Sequence, residues 1–363
     1  MGLASRKALL KTLQSRQDRI AQTRPNLFAA NRIVKQLSTS HSPGKPIKTA
    51  SVFYDRKNAV AGRAMEREFR RRGIKTEALG LIGTNPNTVG GAGPTIQRMG
   101  GAHAVVFLTG GKKNQFDAIA DILTNKAEAR MKTKYGSRLA LIYGIEDTAS
   151  RRTLAATAKE SFLTRQFTKR TLQVVSGSKE IKVMTRAGTN LTFTLSPRIK
   201  WLMEEGQITK DAWGNMPAGE VYTTPLKVNG TVVIDGFMDV IGKTGHAPIR
   251  AQLRDGKVVI NSITCPSEKM KQRFIQMLKA GKNCDRVGEL GLGTNVTIKQ
   301  ILGNVLVDEK IPGVHIAFGD PYGEWTGAKW RQPDGEHHDA ILMKPTILVD
   351  GKPIMREGKS LLK

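Results

Sequence analysis

Thr49-Ala50-Ser51-Val52-Phe53-Tyr54 is a run of β-branched, aromatic and small residues that predicts a buried strand. An amphipathic segment from about Ala59 to Arg72 follows it and ends at Gly73, which is typical of a helix. Because strand and helix patterns continue to alternate beyond this point, we expect an α/β domain built on a small parallel sheet. The further predicted elements are strands at 74–81, 104–108 and 139–143 and a helix at 117–130.

The segment before this sheet, residues 1–46, is strongly basic. Residues 1–48 contain ten Lys or Arg and a single acidic residue, Asp18. Residues 1–40 predict a basic helix packed on the body of the protein, although the composition also fits an organellar transit peptide or an RNA-contacting arm. Residues 38–46, rich in Ser, Pro and Gly, predict a turn or linker.

The pattern changes after about residue 176. Short β-like runs separated by Gly, Asn and Asp predominate, and helical stretches are predicted only at 268–279 and 295–303. We therefore expect an α/β domain at 47–175 and a β-rich α+β domain at 176–363. The predicted strands of the second domain are 181–186, 190–195, 220–224, 231–235, 257–263, 314–318 and 340–349.

The composition restricts the class of protein. The 363 residues include 58 basic and 31 acidic ones, a net charge of +27, which suggests contact of the N-terminal half with RNA or another polyanion. Against a dedicated RNA-binding protein, aromatic residues make up only 6 % and no RNA-recognition motif is present. No apolar run approaches the ~18 residues of a membrane span. Cys265 and Cys284 are too few for a disulfide scaffold, so we expect the cytoplasm, or alternatively an organelle matrix.

Three patches between residues 214 and 340 suggest chemistry. In GNMPAGEVY (214–222) a Gly/Pro loop leads into a strand that opens with Glu220, and in GELGLGTN (288–295) Glu289 precedes a glycine-rich turn into a predicted helix. The third patch extends from 308 to 339 and includes three of the six histidines. Its candidate residues are Glu309, His315, Tyr322, His337 and Asp339.

Carboxylate oxygens and imidazole nitrogens are the ligands of hydrolytic metal sites, which leave a position open for water or substrate. His337 and Asp339 stand two residues apart, so on a strand both side chains project from one face and His338 from the other. The patches together therefore predict a metal-dependent enzyme.

Six motifs in these patches and around them resemble, in the same order, the thermophilic aminopeptidase T family of metallopeptidases, particularly its short leucyl aminopeptidase-like branch. The motifs are AGTNLTF (187–193), GNMPAGEVY (214–222), VIDGFM (233–238), GELGLGTN (288–295), VHIAFGDPY (314–322) and HHDAILMKPTILVDG (337–351).

This resemblance implies an aminopeptidase with two divalent metal ions, zinc or cobalt, with magnesium or manganese also possible. Glu289 would also serve in catalysis, and Tyr322 corresponds to the catalytic tyrosine. Glu309 corresponds to a family glutamate that lies a few residues before the first ligand histidine, here His315. The spacing between the two residues differs from the family pattern by one. Members are often homodimers, and the substrate would be a peptide with a free N-terminus. The implied metal ligands are Glu220, Glu289, Glu309, His315, His337 and Asp339.

Two alternatives stay open. Dihydroxypyridine ring-cleaving dioxygenases have a fold similar to that of the peptidases and use a single Fe(II). The ligands of that ion here would be His315, His337 and Asp339. Retention of Glu220, Glu289 and Tyr322 together favours hydrolysis. The second alternative is a relative of the peptidases that binds RNA or another polyanion through its basic surface.

Overall fold

A computed structural model describes residues 30–31, 33–35, 37, 47–56, 58–81, 102–109, 138–143, 156, 158–206 and 213–362. The strands are β1 (Thr49–Asp55), β2 (Lys75–Leu81), β3 (Ala104–Thr109), β4 (Arg138–Tyr143), β5 (Glu180–Met184), β6 (Asn190–Thr194), β7 (Leu202–Glu204), β8 (Trp213–Met216), β9 (Glu220–Thr223), β10 (Lys227–Ile234), β11 (Phe237–Met238), β12 (Gly242–Lys243), β13 (Ile249–Arg254), β14 (Lys257–Thr264), β15 (Val287–Gly293), β16 (Gly313–Gly319), β17 (His337–Leu342), β18 (Thr346–Val349), β19 (Lys352–Arg356) and β20 (Lys359–Ser360). The helices are α1 (Ala59–Arg71), α2 (Ala158–Val175), α3 (Glu268–Leu278), α4 (Val305–Asp308) and α5 (Gly323–Thr326).

The chain forms two compact units, Met1–Lys159 with Gly206–Pro217, and Glu160–Glu205 with Ala218–Lys363. Almost all of α2 thus belongs to the second unit and β8 to the first, whereas the sequence suggested a single boundary near residue 176. Among the described residues, no helix has the length and apolar character that a membrane crossing requires.

The first unit contains the expected parallel sheet, in the order β2-β1-β3-β4-β8. Helix α1 packs on this sheet through Ala64, Met65 and Phe69, which are buried as its apolar periodicity predicted. Val60, an apolar residue in the first turn of the same helix, is instead 59 % exposed. The described positions between 30 and 37 are helical, and their apolar side chains are fully buried. The predicted helix at 117–130, the linker at 38–46 and most of the N-terminal basic segment lie outside the described residues.

The second unit contains two antiparallel sheets, which confirms a β-rich domain. An eight-stranded sheet has the order β14-β13-β10-β6-β5-β18-β19-β20, and a seven-stranded sheet has the order β12-β11-β17-β16-β15-β9-β7. Ile181 and Val183 of the first sheet and Leu290 and Ile316 of the second belong to one hydrophobic core. One face of the seven-stranded sheet is thereby committed to the core, and its other face is available for polar side chains.

The predicted helix at 295–303 is wrong. Asn295 instead accepts hydrogen bonds from the N–H and hydroxyl of Thr297, and the Asp308 carboxylate accepts three backbone N–H bonds from residues 302–304. These side chains satisfy backbone donors in a non-helical loop, as short polar side chains often do. The predicted strand at 340–349 is also two strands, β17 and β18, because Lys344 adopts a left-handed turn conformation before Pro345.

Candidate metal centre

The polar face of the seven-stranded sheet brings the predicted ligands together. Along β15, Leu290 and Leu292 enter the core, so Glu289 projects from the opposite face. The same alternation in β16 places Ile316 in the core and His315 on the face of Glu289. Glu289 and His315 are buried like the core residues, so the polar face of the sheet is also shielded from solvent at this point.

The neighbouring strand β17 adds His337 and Asp339 to the same face. Its register aligns Asp339 with Ala317, which itself lies opposite Glu289. His338 points the other way, as the period of two predicted, and its ring nitrogens lie 2.8 Å from Asp239 and 3.0 Å from Glu336. The two adjacent histidines therefore belong to different environments.

Glycines make room for the site, and here one prediction was wrong. GELGLGTN does not turn into a helix: Val287–Gly293 is the fully buried strand β15. Gly291 lies opposite His315, and a Cβ at residue 291 would collide with the imidazole ring. At Gly293 a Cβ would collide with the backbone carbonyl of Ile311. Glycine occurs within this strand because other groups approach its backbone closely.

Glu289, His315 and Asp339 form a first potential metal-binding group, with one ligand atom from each residue within 4.8 Å of the others. His337 lies beside this group, its Nε2 3.7 Å from Glu289 Oε2 and 3.6 Å from Asp339 Oδ1. The Nδ1 atom of His337 is 2.8 Å from the carbonyl oxygen of Asp320, which can only accept a hydrogen bond. That bond fixes the proton on Nδ1 and leaves Nε2 facing the carboxylates, an arrangement typical of a ligand histidine.

Glu220, Glu309 and His315 form a second group, in which one ligand atom from each residue likewise lies within 4.8 Å of the others. Glu220 opens β9, as expected, and lies opposite Gly293 of β15. Glu309 is the residue that ends helix α4, so it reaches the site from a loop rather than from the sheet. His315 belongs to both groups, so the two potential metal positions are adjacent.

Lys310 is a site residue that the sequence interpretation missed. Its side chain is completely buried, and its Nζ lies 3.0 Å from Glu204, 2.8 Å from Glu220 and 2.6 Å from Glu309. Glu204, at the end of β7, was also missed. Burial alone would lower the pKa of Lys310, but the three carboxylates raise it well above its usual value, so the amine stays an ammonium ion.

Burial and neighbouring carboxylates shift the pKa values of the first group. Burial raises the pKa of Glu289. Burial would lower the pKa of His315 and of His337, but the carboxylates around them, including Glu289 and Asp339, raise these pKa values to about 9 and about 10. Protons on the histidines thus offset negative charge that a divalent ion would otherwise offset.

Three buried atoms of the candidate ligands have no hydrogen-bond partner in the described part of the chain: Glu220 Oε2, His315 Nδ1 and Asp339 Oδ1. Buried polar atoms are normally paired, and an unpaired one requires an explanation such as an ion. The donor set is also suitable, since carboxylate and imidazole ligands bind zinc and related divalent metals. The residues therefore fit a divalent metal centre.

Tyr322 lies directly over this centre. Its backbone is left-handed, with φ of 48°, and its ring stacks on that of His337 at a centroid distance of 4.4 Å. Burial first, and then the negative charges of Glu289 and Asp339, raise the pKa of Tyr322 well above its usual value. The phenol is therefore protonated and can donate a hydrogen bond.

Residues 164–340 match the model of the thermophilic metalloprotease family, M29. Over these residues, just under half of the chain, the sequence is similar to that family. The matched span includes both potential metal-binding groups, Lys310 and Tyr322, so the similarity to a metalloprotease family extends over the whole candidate metal centre. This similarity and the two residue groups together support the use of divalent metal. A search of curated protein sequences gave no significant match.

Two solved structures share the fold. Wild-type AmpT from Thermus thermophilus aligns with a TM-score of 0.67 at 14 % identity, over 93 % of this chain and 99 % of that chain. The 2,5-dihydroxypyridine dioxygenase from Pseudomonas putida KT2440 aligns with a TM-score of 0.64 at 15 % identity, over 93 % of this chain and 97 % of that chain. These similarities establish the fold. Because one fold can host different reactions, the reaction has to be inferred from the residues of the site.

Proposed function

We propose that the protein is a metal-dependent aminopeptidase, which hydrolyses the peptide bond that follows a free N-terminal residue. The main support is the convergence of four carboxylates, Glu220, Glu289, Glu309 and Asp339, with His315 in two adjacent groups. A single Fe(II) held by two histidines and one carboxylate has no use for the other three. Two divalent ions, zinc or cobalt, would use all of them.

Glu289, His337 and Asp339 would hold the first ion, and Glu220 and Glu309 the second. His315 would complete one of the two sets, because its Nε2, which faces both groups, has one lone pair to give. Bound divalent ions supply Lewis acidity that polarises the scissile carbonyl and acidifies water.

Glu289 is our candidate general base. Burial raises its pKa, which makes its carboxylate a better proton acceptor than an exposed glutamate. The proton it takes from the attacking water would then pass to the leaving amine. His315, 2.9 Å from Glu289 Oε1, and His337, 3.7 Å from Oε2, limit the orientations of this carboxylate.

Tyr322 would donate a hydrogen bond to the oxyanion that develops at the scissile carbonyl. Its stacking on His337 and its left-handed backbone hold the phenol in one place. A fixed donor of this kind stabilises charge that exists only in the transition state.

The direct test compares leucine p-nitroanilide with its N-acetylated form, using protein loaded with cobalt or zinc. An aminopeptidase cleaves the free amine and leaves the blocked compound intact. Hydrolysis of both compounds at equal rates would show that the free N-terminus is not recognised.

The dioxygenase remains the second candidate because a ring-cleaving enzyme shares the fold. If the protein is such a dioxygenase, protein loaded with Fe(II) should consume O₂ in the presence of 2,5-dihydroxypyridine. That result, together with no hydrolysis of leucine p-nitroanilide, would replace the aminopeptidase proposal.

A further inference from the structure

The position of Lys310 gives the two potential metal positions different surroundings. The ammonium contacts Glu220 Oε1 and Glu309 Oε1, and both of these residues belong to the second group. Among the described residues, no lysine or arginine forms an ion pair with Glu289 or Asp339 of the first group. One of the two positions thus shares its carboxylates with a permanent cation.

The charges of the cluster are consistent with two metal ions beside this lysine. Ionised, the five described carboxylates Glu204, Glu220, Glu289, Glu309 and Asp339 and the one ammonium leave a net charge of −4, which two divalent ions offset. With two divalent ions bound but without Lys310, the cluster would retain one uncompensated negative charge. An unpaired charge in a buried site is costly.

Lys310 also reduces the ligand atoms that the second position can use. An oxygen of Glu220 and an oxygen of Glu309 are engaged by the ammonium at 2.8 and 2.6 Å. Glu220 Oε2 remains buried without a hydrogen-bond partner in the described part of the chain. The affinity of a carboxylate site for a divalent ion depends on the charge of its ligands, so partial neutralisation weakens it.

We propose that Lys310 makes the position at Glu220 and Glu309 the weaker of the two, so that its ion exchanges with the medium while the ion at Glu289, His337 and Asp339 stays bound. Lys310 is a positioning residue that acts through Glu220 and Glu309. The proposal rests on the two-metal function above and adds its regulation: the second ion loads, and the enzyme becomes active, only when free divalent metal is abundant.

The test is a Co²⁺ titration of the full-length, metal-free protein, followed by visible absorption and by equilibrium dialysis. Wild type is expected to show two unequal dissociation constants. In Lys310→Met the dissociation constant of the weaker position should fall by about tenfold or more, so that this ion binds more tightly, because a positive charge next to the ion has been removed. The stronger constant should change by less than about threefold, and Lys352→Met, an exposed lysine of β19, should leave both unchanged.

Two further variants separate direct contact from total charge. Glu204→Gln with Lys310→Met keeps the net charge of wild type and should still tighten the weaker position, since Glu220 and Glu309 have lost their ammonium. Lys310→Arg keeps the cation and should keep the weak constant. If the single Met variant fails to fold, these two variants supply the same comparison.

An unchanged or weaker second constant in the Met variants would overturn the proposal, as would binding of one ion per chain in both wild type and variant. These results are independent of substrate. A failure to cleave leucine p-nitroanilide would overturn the aminopeptidase assignment and leave the comparison of metal affinities valid.

Discussion

Gly291 lies directly opposite His315 in the antiparallel pairing of β15 and β16, and the imidazole occupies the space that a Cβ at residue 291 would take. The glycine therefore sets the position of a histidine that belongs to both potential metal-binding groups. A packing detail of the sheet and the chemistry of the site depend on the same residue.

This relationship predicts that Gly291→Ala displaces His315 and weakens metal binding by about tenfold or more, as disturbance of a ligand's support commonly does. Metal content after dialysis measures the effect. Gly313→Ala is the matched control, because Gly313 is also a buried glycine of this sheet but its Cβ would meet its nearest neighbour at an ordinary 3.6 Å. Equal metal loss in both variants would contradict the prediction.

The opposite orientations of His337 and His338 predict different effects on the metal. His337→Ala should lower the metal content, since its Nε2 faces Glu289 and Asp339. His338→Ala removes a ring paired with Asp239 and Glu336 and should lower thermal stability while the metal remains bound. Elemental analysis of both folded variants distinguishes these effects, and loss of metal from His338→Ala alone would contradict the site.

Tyr322→Phe should retain the metal and lower kcat by roughly 10²–10³, the usual effect of removing one oxyanion donor. The phenylalanine ring preserves the stacking on His337, so the change is confined to the hydroxyl. Tyr222→Phe is the matched control, since Tyr222 is mostly buried and interacts with several of the same carboxylates. Equal losses in the two variants would argue against a specific role for Tyr322.

The histidine pKa values predict that the metal-free protein becomes less stable as pH rises. In the folded state the pKa values of His315 and His337 are about 9 and about 10, above the 6.5 of an unfolded histidine. Their contribution is complete below pH 6.5 and is lost as pH rises towards 10. Since one pKa unit corresponds to about 1.4 kcal/mol, Tm should fall by roughly 5 °C or more across this window.

Differential scanning calorimetry of chelated protein at pH 6.5 and pH 9.5 measures this change. Protein loaded with metal is the control, because metal ligation replaces the protons on both histidines and should abolish most of the dependence. A metal-free Tm that is constant or rises across the window would show that the two histidines are not held as cations.

Much of the fold could be predicted from sequence because its elements follow simple periods. The strand at 49–54 and the helix that follows it have the expected patterns, and both are present as β1 and α1. Strand β15 could not be identified in this way, because its glycines favour a turn. They are explained only by groups that approach the strand in the folded protein, such as His315 at Gly291 and the carbonyl of Ile311 at Gly293. The loop at 295–303 was misassigned because its hydrogen bonds involve Asp308, outside the segment itself.

Part of the site was likewise accessible from sequence. The structure brings together all six residues that the family resemblance implied as ligands, whose role as ligands stays a prediction. Lys310 was missed because a lysine is normally exposed. Its signal was its position directly after Glu309 and between the apolar residues Val307 and Ile311. The homodimer, the compartment and a polyanion contact of the basic N-terminal half also stay predictions.

The most direct measurement of the central claim is metal stoichiometry, determined on protein purified without chelator, alongside the hydrolysis of leucine and arginine p-nitroanilides. A two-metal aminopeptidase predicts about two zinc or cobalt ions per chain at saturating free metal, with turnover of these compounds. One iron per chain with no hydrolysis would contradict it and identify the ring-cleaving alternative.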